Sequence, residues 1–277
     1  MAEFVTPDGV RIDYCLRGSG PTVYFCHGGP FGSYETLAAD LQPLEEDFTL
    51  VLHDYRGSGR SGTASSDTYD FVHLADDLEH LRRELGHAKI ELMAHSMGVW
   101  VALTFALSHP ESLDRLILVG GSPVSPRLAP WAMTRALGLP RLAKVSLQSL
   151  WFLALWSWRS SSPGARRSLV RLSQTTQEGK REFRDVILSR PVLDNDDGLS
   201  LLQENLRVDL RRQLPDIGCP TLVIYGTRDA MAVVGAAEFK RLPNVEFSRL
   251  AGIGHDVFLE DPEPASAAVR EFLDERT

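Results

Sequence analysis

Short β-branched apolar runs alternate with helix-period segments along most of this chain. That alternation constrains the fold more than any other feature. Thr22-Val23-Tyr24-Phe25-Cys26, Thr49-Leu50-Val51-Leu52-His53, Lys89-Ile90-Glu91-Leu92-Met93, Leu116-Ile117-Leu118-Val119, Thr221-Leu222-Val223-Ile224-Tyr225 and Val245-Glu246-Phe247 read as strands. Ahead of them, Phe4-Val5 and Val10 to Tyr14 flank the turn signal Thr6-Pro7-Asp8-Gly9, which predicts a hairpin. Between the strands, a helix is expected from about Tyr34 to Glu46. Phe71, Leu74, Leu78, Leu81 and Leu85, spaced by three and four, mark one apolar face of another helix, and Gly86 supplies its stop. Trp100 to Leu107, Ala232 to Arg241 and Pro264 to Asp274 read as further helices. Strands that alternate with helices imply an α/β fold, with a mostly parallel central sheet and helices on both faces.

One long segment breaks the alternation. It opens with Pro123, Pro126 and Pro130, carries almost no strand signal, and holds Trp131, Trp151, Trp156 and Trp158, four of the five tryptophans. We expect a core made of residues 1–123 and 213–277, with 124–212 inserted as a helical lid. Ligands in open parallel sheets bind beyond the carboxyl ends of the strands, where such a lid would close. The length of 277 residues accommodates this arrangement.

Net charge is −8, which disfavours a general nucleic-acid binder, because neutralising phosphates needs an excess of Lys and Arg. The charge is uneven: the expected lid holds 15 basic and 8 acidic residues, and the rest of the chain 14 basic and 29 acidic. Cys15, Cys26 and Cys219 are too few and too scattered for a disulfide framework or a zinc site. Reduced thiols, and a first stretch without the basic and apolar regions of a signal peptide, lead us to expect a cytoplasmic protein. No run approaches the roughly 18 apolar residues of a membrane span, so no membrane partner is expected. The association state is read as monomer or homodimer.

Chemistry concentrates at three places. Ala94-His95-Ser96-Met97-Gly98 follows a strand and precedes a helix. A serine in such a sharp turn needs small residues two positions away on either side, which Ala94 and Gly98 supply. Taken alone, the pattern also fits a serine that caps a helix. A nucleophilic serine further needs a histidine base, and the histidine needs a carboxylate. Tyr225-Gly226-Thr227-Arg228-Asp229 ends a strand with an acid, and Gly252-Ile253-Gly254-His255-Asp256 carries a histidine after the last strand. Singly, Asp229 reads as a helix cap and His255 as a polar loop residue; together with Ser96 they form a candidate triad. Unperturbed, His255 would lose its base function toward acid with a midpoint near ~6.5–7. His27-Gly28-Gly29-Pro30 follows a strand as well, and the amides of Gly29 and Met97 are the candidate donors to an oxyanion, with His27 bracing the loop.

Gly57-Ser58-Gly59-Arg60-Ser61-Gly62 matches the G-x-G-x-x-G dinucleotide fingerprint. A polar loop follows it instead of an apolar helix, so nucleotide binding is not inferred. The eight histidines form no HxH or HExxH pair. The expected chemistry calls for neither a metal nor another cofactor.

The order Ser96, Asp229, His255 resembles the α/β-hydrolase superfamily over essentially the whole chain. His27-Gly28-Gly29-Pro30 is similar to the HGGPG of proline iminopeptidases, and Asp54-Tyr55-Arg56-Gly57-Ser58-Gly59-Arg60-Ser61 resembles the family's structural DxRGxGxS loop. Two departures qualify the iminopeptidase likeness. Phe31 replaces the last glycine of HGGPG, and AHSMG is closer to esterases, thioesterases and carbon–carbon bond hydrolases than to GGSWG. Epoxide hydrolases and haloalkane dehalogenases place an aspartate where Ser96 stands. The resemblance implies a serine hydrolase acting on an ester or related acyl bond; the tryptophan-rich lid suggests a small apolar or aromatic substrate, although each tryptophan alone also fits plain lid packing. An iminopeptidase-like activity, with Glu204 or Glu178 holding an amine, stays open. So do an acyltransferase and a ligand receptor on the same scaffold. Phe31, Trp100, Trp131, Trp151 and Glu204 are the candidate pocket residues.

Overall fold

The computed structural model of the chain describes residues 2–29, 33–38, 40–122, 124–125 and 208–274. Eight strands form one sheet: β1 (Ala2–Val5), β2 (Arg11–Gly18), β3 (Thr22–Cys26), β4 (Thr49–His53), β5 (Ile90–His95), β6 (Leu113–Val119), β7 (Thr221–Gly226) and β8 (Val245–Leu250), in the order β1-β2-β4-β3-β5-β6-β7-β8. The β1–β2 and β2–β4 pairs are antiparallel, and the others are parallel. Each expected strand is present, and the fold class is the one the alternation implies.

The sheet is sandwiched. Along β6, Leu116 and Leu118 enter one core, while Ile117 and Val119 enter the other, as a two-residue period requires. The first core is closed by α2 (Phe71–Glu84) and α3 (Gly98–Ser108). The second is closed by α6 (Pro262–Asp274) through Val269, Phe272 and Leu273. Phe71, Leu74, Leu78 and Leu81 are buried on one side of α2, as their spacing predicts. The Asp70 carboxylate caps α2 by accepting the His73 amide, and Gly86 follows its end with φ +74°.

One helix differs from expectation. Among the described residues between Tyr34 and Glu46, the chain forms only α1 (Glu35–Ala38) and a 3₁₀ turn, Gln42–Leu44. Pro43 lies inside that turn; it has no amide to donate, and its ring would clash in the interior of a continuous helix. The remaining α-helices among the described residues are α4 (Ala230–Phe239) and α5 (Val257–Glu260).

Sheet order places the site. From β3 the chain steps one way to β4 and then back across to β5, so the ends of β3 and β5 flank a switch point. Cys26 pairs with Ala94 in register, which brings the loop after β3 beside the turn after β5. The two halves of the expected core meet at β6–β7. Val124 and Leu210 are both buried in the first core, and the Leu210 amide donates to the Val124 carbonyl at 3.1 Å.

Candidate active site

Ser96 is the sole non-glycine with positive φ among the described residues, at φ +54°. A left-handed serine is strained, so its surroundings must fix it. Its amide donates to the Val119 carbonyl at 2.9 Å, tying the turn to β6. A Cβ on Gly98 would lie 2.3 Å from the Cys26 carbonyl oxygen, and one on Gly28 would lie 3.0 Å from the Ser96 Cβ. Those close approaches let the two loops meet. Met97, not Ser96, is the residue that caps α3, and it does so without a side-chain bond. The Met97 amide therefore stands at the positive end of a helix dipole.

His255 Nε2 lies 2.8 Å from Ser96 Oγ, and His255 Nδ1 lies 2.5 Å from Asp229 Oδ2. An ionised carboxylate only accepts, so Nδ1–H donates to Asp229 and Nε2 is left to accept from the serine hydroxyl. The other oxygen of Asp229 accepts the Met231 and Ala232 amides at 2.9 and 3.1 Å. Asp229 is thus a helix cap and the histidine's partner at once. Backbone bonds stitch the two loops together: Arg228 N–H donates to the Ile253 carbonyl, and Thr227 N–H to that of Leu250.

Charge follows from this geometry. Burial opposes ionisation of Asp229, but His255 and the two capping amides outweigh it and hold the carboxyl below its ordinary value. Burial likewise opposes charge on His255. Asp229 outweighs it, assisted by Asp256 and Glu260, and raises the imidazole above the 6.5 of a free one. The unperturbed midpoint therefore does not apply to this imidazole, whose partner carboxylate shifts it upward. A hydroxyl beside such an imidazole can be deprotonated as it attacks, with the imidazolium stabilised in place.

Gly29, in the loop after β3, has φ +76°, a left-handed conformation that glycine adopts without strain. His27 is fully buried; its ring packs 4.1 Å from that of Tyr55, whose hydroxyl donates to the His27 carbonyl at 2.9 Å. It braces the loop. The false dinucleotide fingerprint is a structural loop as well. Asp54 accepts the Tyr34 and Arg60 amides, both at 2.8 Å, and a Cβ on Gly59 would fall 1.8 Å from its carboxylate.

Trp100, a candidate pocket residue, is packed inside the first core. Its ring is 1% exposed, stacks on Phe71 with centroids 5.5 Å apart, and donates its indole N–H to Ser122 Oγ. α3 is buried all round, so adjacency to Met97 in sequence says nothing about facing the serine. Phe31, Trp131, Trp151, Glu178 and Glu204 lie outside the described residues. Sequence reading passed over His95 and Asp256, which the fold brings against the back of His255. Each stands next to a residue already singled out, and that adjacency was the signal available. Among the described residues, no cluster of three or more His, Cys, Asp or Glu could hold a metal ion, and no helix is long and apolar enough to cross a membrane.

Comparison with known proteins agrees with this architecture. The putative carbamate hydrolase RutD of Caulobacter vibrioides (strain NA1000 / CB15N) is 29% identical over 280 residues, covering 97% of each chain. A malate-bound thermophilic esterase from Thermogutta terrifontis is 26% identical with a TM-score of 0.75, covering 99% of this chain and 96% of that one. An alpha/beta fold family hydrolase from Bacillus anthracis str. Sterne has a TM-score of 0.80 at 20% identity, covering 98% of each chain, a likeness of fold alone. The family model described as alpha/beta hydrolase fold matches residues 21–262, and the chain belongs to that family.

Proposed function

We propose that this α/β-fold hydrolase, acting on ester or amide bonds, is a serine hydrolase that cleaves a carboxylic ester or related acyl bond of a small apolar or aromatic substrate. The observation that carries the reading is the 2.8 Å contact between Ser96 Oγ and His255 Nε2, made by a serine held at φ +54°. Ser96 Oγ attacks the carbonyl carbon, and its proton passes to His255 Nε2. Asp229 stabilises the imidazolium. The amides of Gly29 and Met97 donate to the oxyanion of the tetrahedral intermediate. His255 then gives the proton to the leaving oxygen, and the acyl group stays on Ser96. Water, deprotonated by His255, releases the acid and restores the enzyme. Each step uses groups of the chain and water, so no cofactor is required. Residues 124–212 serve as the lid over this site in the same reading, with residues 1–123 and 213–277 as the core.

The test is kcat/KM for a series of 4-nitrophenyl acyl esters beside proline 4-nitroanilide, with Ser96→Ala as control. Carbamate esters belong in the series because a relative bears the name of a putative carbamate hydrolase. Ester or carbamate turnover that is lost in Ser96→Ala, without anilide cleavage, is the expected result. Preference for the prolyl anilide would transfer the assignment to the iminopeptidase reading that the HGGP loop resembles. Acyl transfer to an added alcohol in preference to water would make the protein a transferase. Ligand capture without turnover would make it a receptor.

A further inference from the structure

His95 and Asp256 form a buried pair behind His255 that the triad chemistry does not itself use. Both are at least nine-tenths buried. His95 Nε2 lies 3.2 Å from the His255 main-chain carbonyl oxygen and 3.7 Å from Asp256 Oδ1. Both neighbours are acceptors, so Nε2 carries the proton. The two imidazole rings have centroids 5.0 Å apart at 49°.

The rest of the ring is equally placed. A Cβ on Gly28 would sit 2.9 Å from His95 Nδ1, and one on Gly120 would sit 3.3 Å from Nε2 and 3.1 Å from the His255 carbonyl oxygen. One imidazole therefore touches the loop after β3, the end of β6 and the histidine loop. It belongs to the residue directly before Ser96. The carboxylate of Glu260 secures the same loop by accepting the Gly254 amide at 3.1 Å.

We propose that His95 and Asp256 are positioning residues: His95 holds the His255 main chain against the turn that carries Ser96, and Asp256 faces His255 with a second carboxylate. The inference rests on the serine-hydrolase reading above. Its physical basis is the steep dependence of reactivity on placement, since a misplacement of about 1 Å can cost on the order of 100-fold in rate. Loss of the His95 donor frees the loop that sets the distance from Nε2 to Oγ.

Asp256 has a separate electrostatic consequence. The groups facing His255 from the described elements packed against it are Asp229 after β7, His95 and Ser96 at the end of β5, Asp256 beside it, and Glu260 on α5. Burial keeps His95 neutral, with its pKa lowered to about 3, so it adds no charge there. Removing the Asp256 charge removes one of three carboxylates that favour the imidazolium. The base needs its neutral form, so the acid limb must then move to lower pH.

Three variants test this: His95→Phe, which keeps a ring and loses the donor; His95→Gln, which restores an N–H; and Asp256→Asn. Each is compared with wild type by melting temperature, by kcat and KM on 4-nitrophenyl butyrate from pH 5 to 10, and by labelling with a fluorophosphonate. His95→Phe should lower kcat by about 10-fold or more with KM within about twofold, and His95→Gln should recover most of it. Asp256→Asn should move the acid limb of kcat/KM down by about 0.5 pH unit or more. Unchanged kcat in folded His95→Phe, or an unmoved limb in Asp256→Asn, overturns the proposal. If His95→Phe does not fold, the limb in Asp256→Asn decides. Wild-type protein that takes no label at Ser96 would instead sink the hydrolase reading, and the positioning role with it.

Discussion

Ser96 shows how much of the site is backbone geometry. A left-handed serine costs about 1–3 kcal/mol, and the neighbouring glycines make the turn possible at that cost. Two serine variants should therefore part company. Ser96→Ala and Ser96→Gly both remove the hydroxyl, and both should lose nearly all turnover; the corresponding loss in a serine protease is about 10⁶-fold. Glycine, however, occupies φ +54° without strain, so Ser96→Gly should melt higher than Ser96→Ala. Equal melting temperatures would show that the turn stores no strain. Asp229→Asn should keep the geometry and lose about 10⁴-fold in kcat, the size seen when a triad aspartate is so changed, because the wrong imidazole tautomer is then favoured. Ser96, Asp229 and His255 could be singled out as candidates because each follows a strand in a recognisable pattern, and the fold brings their side chains within hydrogen-bond distance of one another. The approach of His95 and Asp256 to His255 was not legible, because it depends on folding the end of β5 and the loop after β8 together. Which way Trp100 points was not legible, because nearness in sequence hides orientation on a helix buried almost all round.

At the scale of elements, the loop after β4 is held by charge that has left water. Arg56 donates twice to Asp77 on α2, Nε to Oδ2 at 2.7 Å and Nη2 to Oδ1 at 2.6 Å, and both side chains are nearly inaccessible. Breaking such a pair leaves a buried charge uncompensated. Arg56→Leu should cost about 3–5 kcal/mol in denaturant unfolding, while exposed Arg11, paired with Glu3, should cost under about 1 kcal/mol when changed to Ala. Similar small losses from both would refute the distinction. The strands and α2 were legible because their apolar periods are unbroken. The stretch from Tyr34 to Glu46 was not, because Pro43 interrupts a pattern that is otherwise helical. The strand order was not legible either: no local pattern records that β4 lies on the far side of β3.

For the whole molecule, pH acts through two opposed kinds of histidine. His53 is 1% exposed, neither ring nitrogen has a hydrogen-bond partner among the described residues, and burial lowers its pKa from 6.5 to about 3. The unfolded chain binds this proton more readily, so the stability from a neutral His53 is present above 6.5 and lost as pH falls toward 3. His95 acts in the same window and the same direction. Melting temperature should therefore drop between pH 6.5 and 4, and His53→Phe should flatten part of that drop; a variant that follows the wild-type curve would remove His53 from the account. His255 runs the other way. Its raised pKa adds stability that is complete below 6.5 and is lost as pH rises through the higher folded value. Turnover needs its neutral form, so kcat/KM should rise through a midpoint above 6.5, and an acid limb at or below 6.5 would contradict the ion pair with Asp229.

The central claim is that Ser96 is the nucleophile, and covalent trapping tests it most directly. Protein treated with one equivalent of a fluorophosphonate would be followed by intact mass and peptide mapping, with ester turnover measured in parallel. The account predicts one adduct per chain, located on Ser96, with activity lost in proportion and no adduct in Ser96→Ala. An adduct on another residue, or undiminished turnover in fully labelled protein, would contradict it.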